Sequence, residues 1–275
     1  MNLGARLADA MADRGPLCVG IDPHPGLLGA WGLADSAAGV REFSLRVVEE
    51  LAGTAAALKP QSAFFERHGA AGIAALEEVL AACRDAGVLS ILDVKRGDIG
   101  STMTAYAEAY LRPGAPLEAD AITASPYLGV GSLTPAIDLA LTHGKGVFVL
   151  ALTSNPEGAT VQHARAGDTS VAGSVCAHAA AVNAPFGGVG PVGLVVGATV
   201  GDAVARLGLD LAATGSILLA PGVGAQGGTV TTLRDVFGLA FDRVLASVSR
   251  SVLAAGPGAL AGAARAEITG LRGPA

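Results

Sequence analysis

Asp93 and Lys95 stand two residues apart at the end of an apolar run, and Asp98 follows within Ser90-Ile91-Leu92-Asp93-Val94-Lys95-Arg96-Gly97-Asp98-Ile99-Gly100-Ser101-Thr102. Side chains alternate along a strand, so Asp93 and Lys95 share one face while Val94 takes the other. Gly97 lets the chain leave the strand, and Asp98 then belongs to a loop, where alternation does not fix its direction. An exposed ion pair at a strand end is a common structural feature and contributes only about 0 to 1 kcal/mol. Three charges closing a fully apolar run are costly to desolvate unless they compensate one another or serve a charged ligand. An ammonium held between carboxylates stays protonated and is placed to act as an acid.

The elements that must position these charges are visible as recurrent short apolar runs, each long enough for a strand buried on both faces. They are Leu17 to Ile21, Ala55 to Leu58, Val88 to Val94, Ala119 to Thr123, Val147 to Leu152, Val192 to Val196, Ile217 to Ala220 and Val244 to Val248. Helical patterns lie between most of them, at Val40 to Ala52, Gly72 to Asp85, Thr104 to Leu111 and Thr134 to His143. Such alternation predicts parallel βα units closed into an α/β, single-domain (β/α)8 TIM barrel spanning residues 1–275. Barrel active sites sit at the C-terminal strand ends, and this rule selects Asp22, Lys59, Asp93, Lys95, Ser154, Gln226 and Arg250.

Composition narrows the function. Of 275 residues, 51% are hydrophobic and 15% charged, enough to bury a large core and unlike a disordered chain. With 18 Lys and Arg against 24 Asp and Glu, the net charge of −6 argues against a general grip on nucleic acid, though not against one local phosphate pocket. Cys18, Cys83 and Cys176 form no Cys-x-x-Cys pair, so neither a disulfide framework nor a zinc site is predicted; Cys18 and Cys83 read as buried. Arg6, Asp9, Asp13 and Arg14 interrupt what a secretory signal would need, and a cytoplasmic location is expected. The uncharged stretch Thr169 to Gly201 is broken by Asn183, Pro185 and glycines; it reads as loop plus buried strand, with no membrane association. Asp22 to Gly32 and Asn183 to Gly193 read as long loops, and the last dozen residues as the end of a final helix.

Glycines in Pro221 to Gly228, including Gly227 and Gly228, fit either a simple turn or a close backbone approach to an anion. Gln226 and Arg250 would add a side-chain donor and a forked cation suited to phosphate. Trp31 could cover a site but is read as the anchor of its loop. Among His24, His68, His143, His163 and His178 no spacing suggests a metal site; His163 and His178 read as surface or loop residues.

The run Asp93 to Ile99 closely resembles the Asp-x-Lys-x-x-Asp-Ile signature of the orotidine 5′-phosphate decarboxylases. Four more stretches agree in order: Val19-Gly20-Ile21-Asp22, Leu58-Lys59-Pro60-Gln61, Leu152-Thr153-Ser154-Asn155-Pro156 and Ala220-Pro221-Gly222-Val223-Gly224-Ala225-Gln226-Gly227-Gly228. The resemblance runs from the first strand to Arg250, and the long loops resemble the longer, mycobacterial-type (type 2) bacterial branch.

The resemblance implies conversion of orotidine 5′-phosphate to UMP and carbon dioxide with no cofactor and no metal. It assigns Lys95 as proton donor to C6 of the pyrimidine and puts Asp93 beside the departing carboxylate. Asp98 and Thr102 would reach into the partner's site of a homodimer, Thr102 touching the ribose. Asp22 and Lys59 would hold ribose hydroxyls, with Lys59 extending the charge array; a barrel-end salt bridge explains the pair equally well. Ser154 would read the pyrimidine amide edge, or serve only a Ser-Asn-Pro turn. Gln226, Gly227, Gly228 and Arg250 would hold the phosphate. Ser249 departs from the Gly-Arg that is usual before this arginine, and its Cβ puts one phosphate contact in question. Two alternatives are a magnesium-dependent sugar-phosphate lyase or decarboxylase of the same superfamily, against which Lys59, Ser154 and the Gln226 loop argue, and a nucleotide sensor that has lost its chemistry.

Overall fold

The computed structural model describes residues 1–224 and 227–272. Eight parallel strands close into one barrel: β1 (Leu17–Ile21), β2 (Ala57–Pro60), β3 (Leu89–Arg96), β4 (Ala121–Ala124), β5 (Gly146–Leu152), β6 (Val192–Val196), β7 (Leu218–Pro221) and β8 (Val244–Val248). They pair in sequence order, and β1 pairs with β8 to close the ring. Burial of nearly every strand residue explains the unbroken apolar runs of the sequence. The longer helices are α1 (Leu3–Arg14), α2 (Ala37–Leu51), α3 (Gly69–Asp85), α4 (Gly100–Leu111), α5 (Thr134–His143), α6 (Val171–Asn183), α7 (Val230–Phe237) and α8 (Leu260–Arg272).

The barrel interior is divided along its axis. Toward the N-terminal strand ends, Cys18, Ala57, Ile91, Phe148 and Leu245 pack together and α1 plugs the opening with Leu3, Leu7 and Met11. Arg6 of α1 meets Asp120 at 2.7 Å, and Asp120 accepts from the Ser90 backbone at 3.0 Å, which ties that plug to β3 and β4. Two residues further along β3, apolar Ile91 gives way to Asp93, so the same inward face turns from core to charge.

Two readings need correction. The stretch Thr169 to Gly201 holds helix α6 before β6, not loop plus strand. Ser170 caps it by accepting from Gly173, and Ala172, Val175, Cys176 and Ala179 are its buried face. Asn183 ends that helix as a buried bracket, donating to the carbonyls of Val192 and Thr214 and accepting from the Val192 N–H. The loop Asp22 to Gly32 contains a short helix, Pro25–Ala30, with proline in its first turn. Trp31 does anchor: it is buried, stacks on Phe43 with centroids 4.2 Å apart, and donates to the Leu253 carbonyl at 3.1 Å.

Candidate active site

Neighbouring strand ends build the centre of the site around Asp93, which is only 7% exposed. Its Oδ2 accepts from Lys59 Nζ at 2.8 Å and from Gln61 Nε2 at 3.0 Å. Its Oδ1 accepts from Lys95 Nζ at 2.5 Å and from Thr123 Oγ1 at 2.8 Å. Every donor stands at or just beyond a C-terminal strand end, Lys59 and Gln61 at β2, Lys95 on β3 and Thr123 on β4. The lysines are not equivalent: the Lys59 side chain is 9% exposed, while that of Lys95 is 47% exposed and opens to the mouth.

This environment fixes protonation. Burial pushes the Asp93 carboxyl upward, but the Lys59 and Lys95 ammonium groups outweigh it and hold the acid well below the usual carboxylate range. Burial likewise opposes the Lys59 charge, yet Asp93 and then Asp22 keep its ammonium above the ordinary lysine value. Cys18, deeper in the barrel, has its thiol pushed up to about 12, chiefly by burial, and stays a neutral packing group.

Lys95 is the only non-glycine residue with positive φ among those described, at 43°. The left-handed region costs roughly 1–3 kcal/mol for such a residue and persists only where its surroundings enforce it. The β3–β4 register shifts between Leu92 and Arg96, the bulged stretch that carries Lys95. Bulges beside active sites re-aim a side chain, and here the re-aimed group is an ammonium.

Beside this array lies a cavity of about 640 Å³. Asp22, His24 and Lys59 line one part of its wall, and Gly222, Ser249 and Arg250 another. Lys59 therefore links the cavity to Asp93. Asp22 Oδ1 and Ser249 Oγ are buried with no hydrogen-bond partner among the described residues, two polar atoms that a hydroxylated or phosphorylated ligand would satisfy. Arg250 is exposed at the start of a short helix, Arg250–Leu253, just past β8.

Not all expected residues gather here. Gln226 lies outside the described residues. Gly227 and Gly228 follow β7 near the cavity, but their N–H groups already donate to the Gly224 and Gly222 carbonyls at 2.8 and 3.0 Å. Gly228 is required for close approach, since a Cβ there would come within 2.6 Å of the Gly222 oxygen. As backbone anion donors, both are occupied in this conformation. Ser154 is exposed beyond β5 and takes no part in the array. Asp98 accepts from Ile99 N–H at 2.8 Å and Thr102 is exposed on the first turn of α4; neither lines the cavity or touches Asp93 in its own chain.

Thr123, Gln61 and His24 join the site without having been singled out. The first two were findable: Thr123 is the polar residue ending an apolar run, and Gln61 follows Lys59 by two, on the same face by alternation. His24 stacks edge-on against Phe64 at 4.2 Å and carried no signal of spacing.

Fold and site together define a class: a (β/α)8 barrel with a buried, charge-compensated ion array at its C-terminal mouth, beside a cavity for a small charged ligand. Residues 15–264 match the family model described as orotidine 5′-phosphate decarboxylase / HUMPS family. The orotidine 5′-phosphate decarboxylase of Salinispora arenicola is 58% identical over 257 residues, covering 93% of this chain and 91% of the relative. That of Streptomyces coelicolor is 58% identical over 255 residues, covering 92% and 90%. The crystal structure of a putative orotidine 5′-phosphate decarboxylase from Streptomyces avermitilis superposes with a TM-score of 0.93 at 55% identity, covering 99% of this chain and 96% of that one. The chain belongs to the orotidine 5′-phosphate decarboxylase / HUMPS family.

Proposed function

We propose that this chain decarboxylates orotidine 5′-phosphate to UMP and carbon dioxide, the last step of de novo pyrimidine synthesis, without a cofactor. The observation that carries the reading is Asp93 bonded on its two oxygens by Lys59 and Lys95, beside a cavity with Arg250 on its rim. Family membership and the 58% identical decarboxylases select this substrate.

Loss of carbon dioxide leaves an electron pair at C6 in an orbital that the ring carbonyls cannot delocalise. A fixed cation nearby stabilises that pair, and Lys95 is the ammonium that opens to the mouth. At ~4 Å and an effective dielectric of about 20, one ammonium contributes about 4 kcal/mol against a unit negative charge. That is roughly a thousandfold in rate, so the rest must come from preorganised surroundings and from phosphate binding energy. Lys95 then gives its proton to C6 and is recharged from solvent. Asp93, held ionised, stands beside the departing carboxylate and fixes both ammonium groups.

Asp22 and Lys59 hold the ribose hydroxyls, Ser154 reads the pyrimidine amide edge, and Arg250 with Gln226 holds the phosphate. Gly227 and Gly228 can add backbone donors only if the loop's own hydrogen bonds open. Asp98 and Thr102 serve the partner's site in a homodimer, which their separation from the cavity of their own chain supports. Exposed Ile99, Tyr127 and Leu128, at 62%, 77% and 53%, supply apolar surface for that interface. The protein works in the cytoplasm; no described helix is long and apolar enough to cross a membrane. The long β5–β6 connection fits the longer bacterial branch.

The decisive assay follows loss of orotidine 5′-phosphate absorbance with a chelator and no added metal. Turnover is expected to persist there and to vanish in Lys95→Ala, which should still bind UMP. Activity abolished by the chelator would favour a magnesium-dependent lyase, and near-normal turnover by Lys95→Ala would remove Lys95 from its role.

A further inference from the structure

The hydrogen bonds around Asp93 close into a ring. The Lys95 backbone N–H donates to Thr123 Oγ1 at 2.9 Å, that hydroxyl donates to Asp93 Oδ1 at 2.8 Å, and Lys95 Nζ donates back to the same oxygen at 2.5 Å. The Thr123 hydroxyl hydrogen-bonds both the backbone of Lys95 and the carboxylate that its ammonium grips. The ring encloses the backbone position at φ 43°, inside the stretch where the β3–β4 register shifts. At such a bulge a ladder hydrogen bond is disrupted and the N–H needs another acceptor. The threonine hydroxyl supplies it from a site only 2% exposed, where water is poorly placed to substitute.

We propose that Thr123 is a positioning residue: its hydroxyl locks Lys95 in the left-handed conformation and fixes the Asp93 carboxylate, so that the Lys95 ammonium is held in place before any ligand arrives. This rests on the decarboxylase reading for its catalytic consequence, but the lock itself is a statement about backbone geometry. Valine has nearly the shape of threonine and neither donates nor accepts. In Thr123→Val the Lys95 N–H loses its acceptor and Asp93 Oδ1 loses a donor, while Lys59 and Gln61 still hold Oδ2. Serine keeps the hydroxyl and should keep the ring.

The test compares wild type, Thr123→Val and Thr123→Ser as full chains, by decarboxylation kinetics, UMP affinity and crystal structures. Thr123→Val is expected to lower kcat roughly 10- to 100-fold, the loss typical when an outer partner behind a working side chain is removed. KM and UMP affinity should stay within about threefold, the split that marks an interaction used in the transition state. Thr123→Ser should recover most of kcat, and Lys95 should leave the left-handed region in the valine variant alone. Unchanged kcat in Thr123→Val, no rescue by serine, or a matching loss of UMP affinity would overturn the proposal. So would a left-handed Lys95 retained in the valine variant, whatever the substrate, whereas a wild type inert toward orotidine 5′-phosphate would overturn the functional reading instead. Thr123→Ala, which adds no bulk, replaces the valine variant should that one not fold, with the same outcomes.

Discussion

Asp93 places two donors on each oxygen, and that full coordination is why a buried carboxylate at this strand end stays ionised. Its depressed folded-state pKa has a definite consequence for stability. A group held below its unfolded value of about 3.9 contributes its full stabilisation above that pH and loses it as the pH falls toward the folded value. Lys59, held above the ordinary lysine value, contributes fully below about 10.5 and loses its share as the pH rises through the folded value. Asp93→Asn should therefore be clearly less stable than wild type at neutral pH, with the gap in denaturant midpoint closing as the pH drops below about 4. A gap that stays constant down to strong acid would show that the ionised carboxylate is not what stabilises the site. Arg250 lines the cavity and is exposed, with no ion pair among the described residues. Arg250→Ala should weaken binding of UMP far more than of uridine, and equal losses for both would contradict a phosphate contact.

Elements set where those residues stand, and here the sequence is informative in a particular way. Strands buried on both faces leave continuous apolar runs, so β1, β6 and β8 were legible to the residue, whereas β2 and β3 start later than their apolar runs and end two residues beyond them, because Lys59, Pro60, Lys95 and Arg96 look like loop chemistry. Helix α6 was not legible, since its Ala, Val, Gly and Cys residues lack the polar stripe that marks an amphipathic surface helix. Contacts such as Lys59 with Asp93 or Thr123 with Lys95 join residues 28 to 34 apart in sequence, and only barrel closure reveals them. The β3–α4 turn is a tight junction of this kind. A Cβ on Gly97 would stand 2.3 Å from the Ser125 carbonyl oxygen, which is backbone and cannot swing aside. Gly97→Ala should force Arg96 and Asp98 apart from β4, costing roughly 1–3 kcal/mol by overpacking. Its kcat/KM should fall by more than that stability loss explains, because the end of β3 carries Lys95. Wild-type kinetics at a reduced denaturant midpoint would show that the turn matters for folding alone.

At the scale of the molecule, one chain holds a divided set of candidate residues. Asp22, Lys59, Asp93, Lys95 and Arg250 converge on the array and its cavity, while Asp98 and Thr102 stand outside the cavity lining, beside exposed Ile99. A two-fold dimer makes the same patch face itself, so whatever one protomer extends across the interface its partner extends in return. If Asp98 completes the partner's site, two inactive variants should repair each other. Lys95→Ala retains Asp98 and Asp98→Ala retains Lys95, so a mixed dimer assembles one site carrying both groups and one carrying neither. Random reassortment puts half the dimers in the mixed state, and half of their sites are intact, giving about a quarter of wild-type activity per site. Mixing after reversible dissociation, or co-expression with two tags, checks this by the absorbance assay. Activity that stays at the level of the separate variants, in dimers shown by the tags to be mixed, would place Asp98 in the site of its own chain and require the β3–α4 loop to fold back over Lys95.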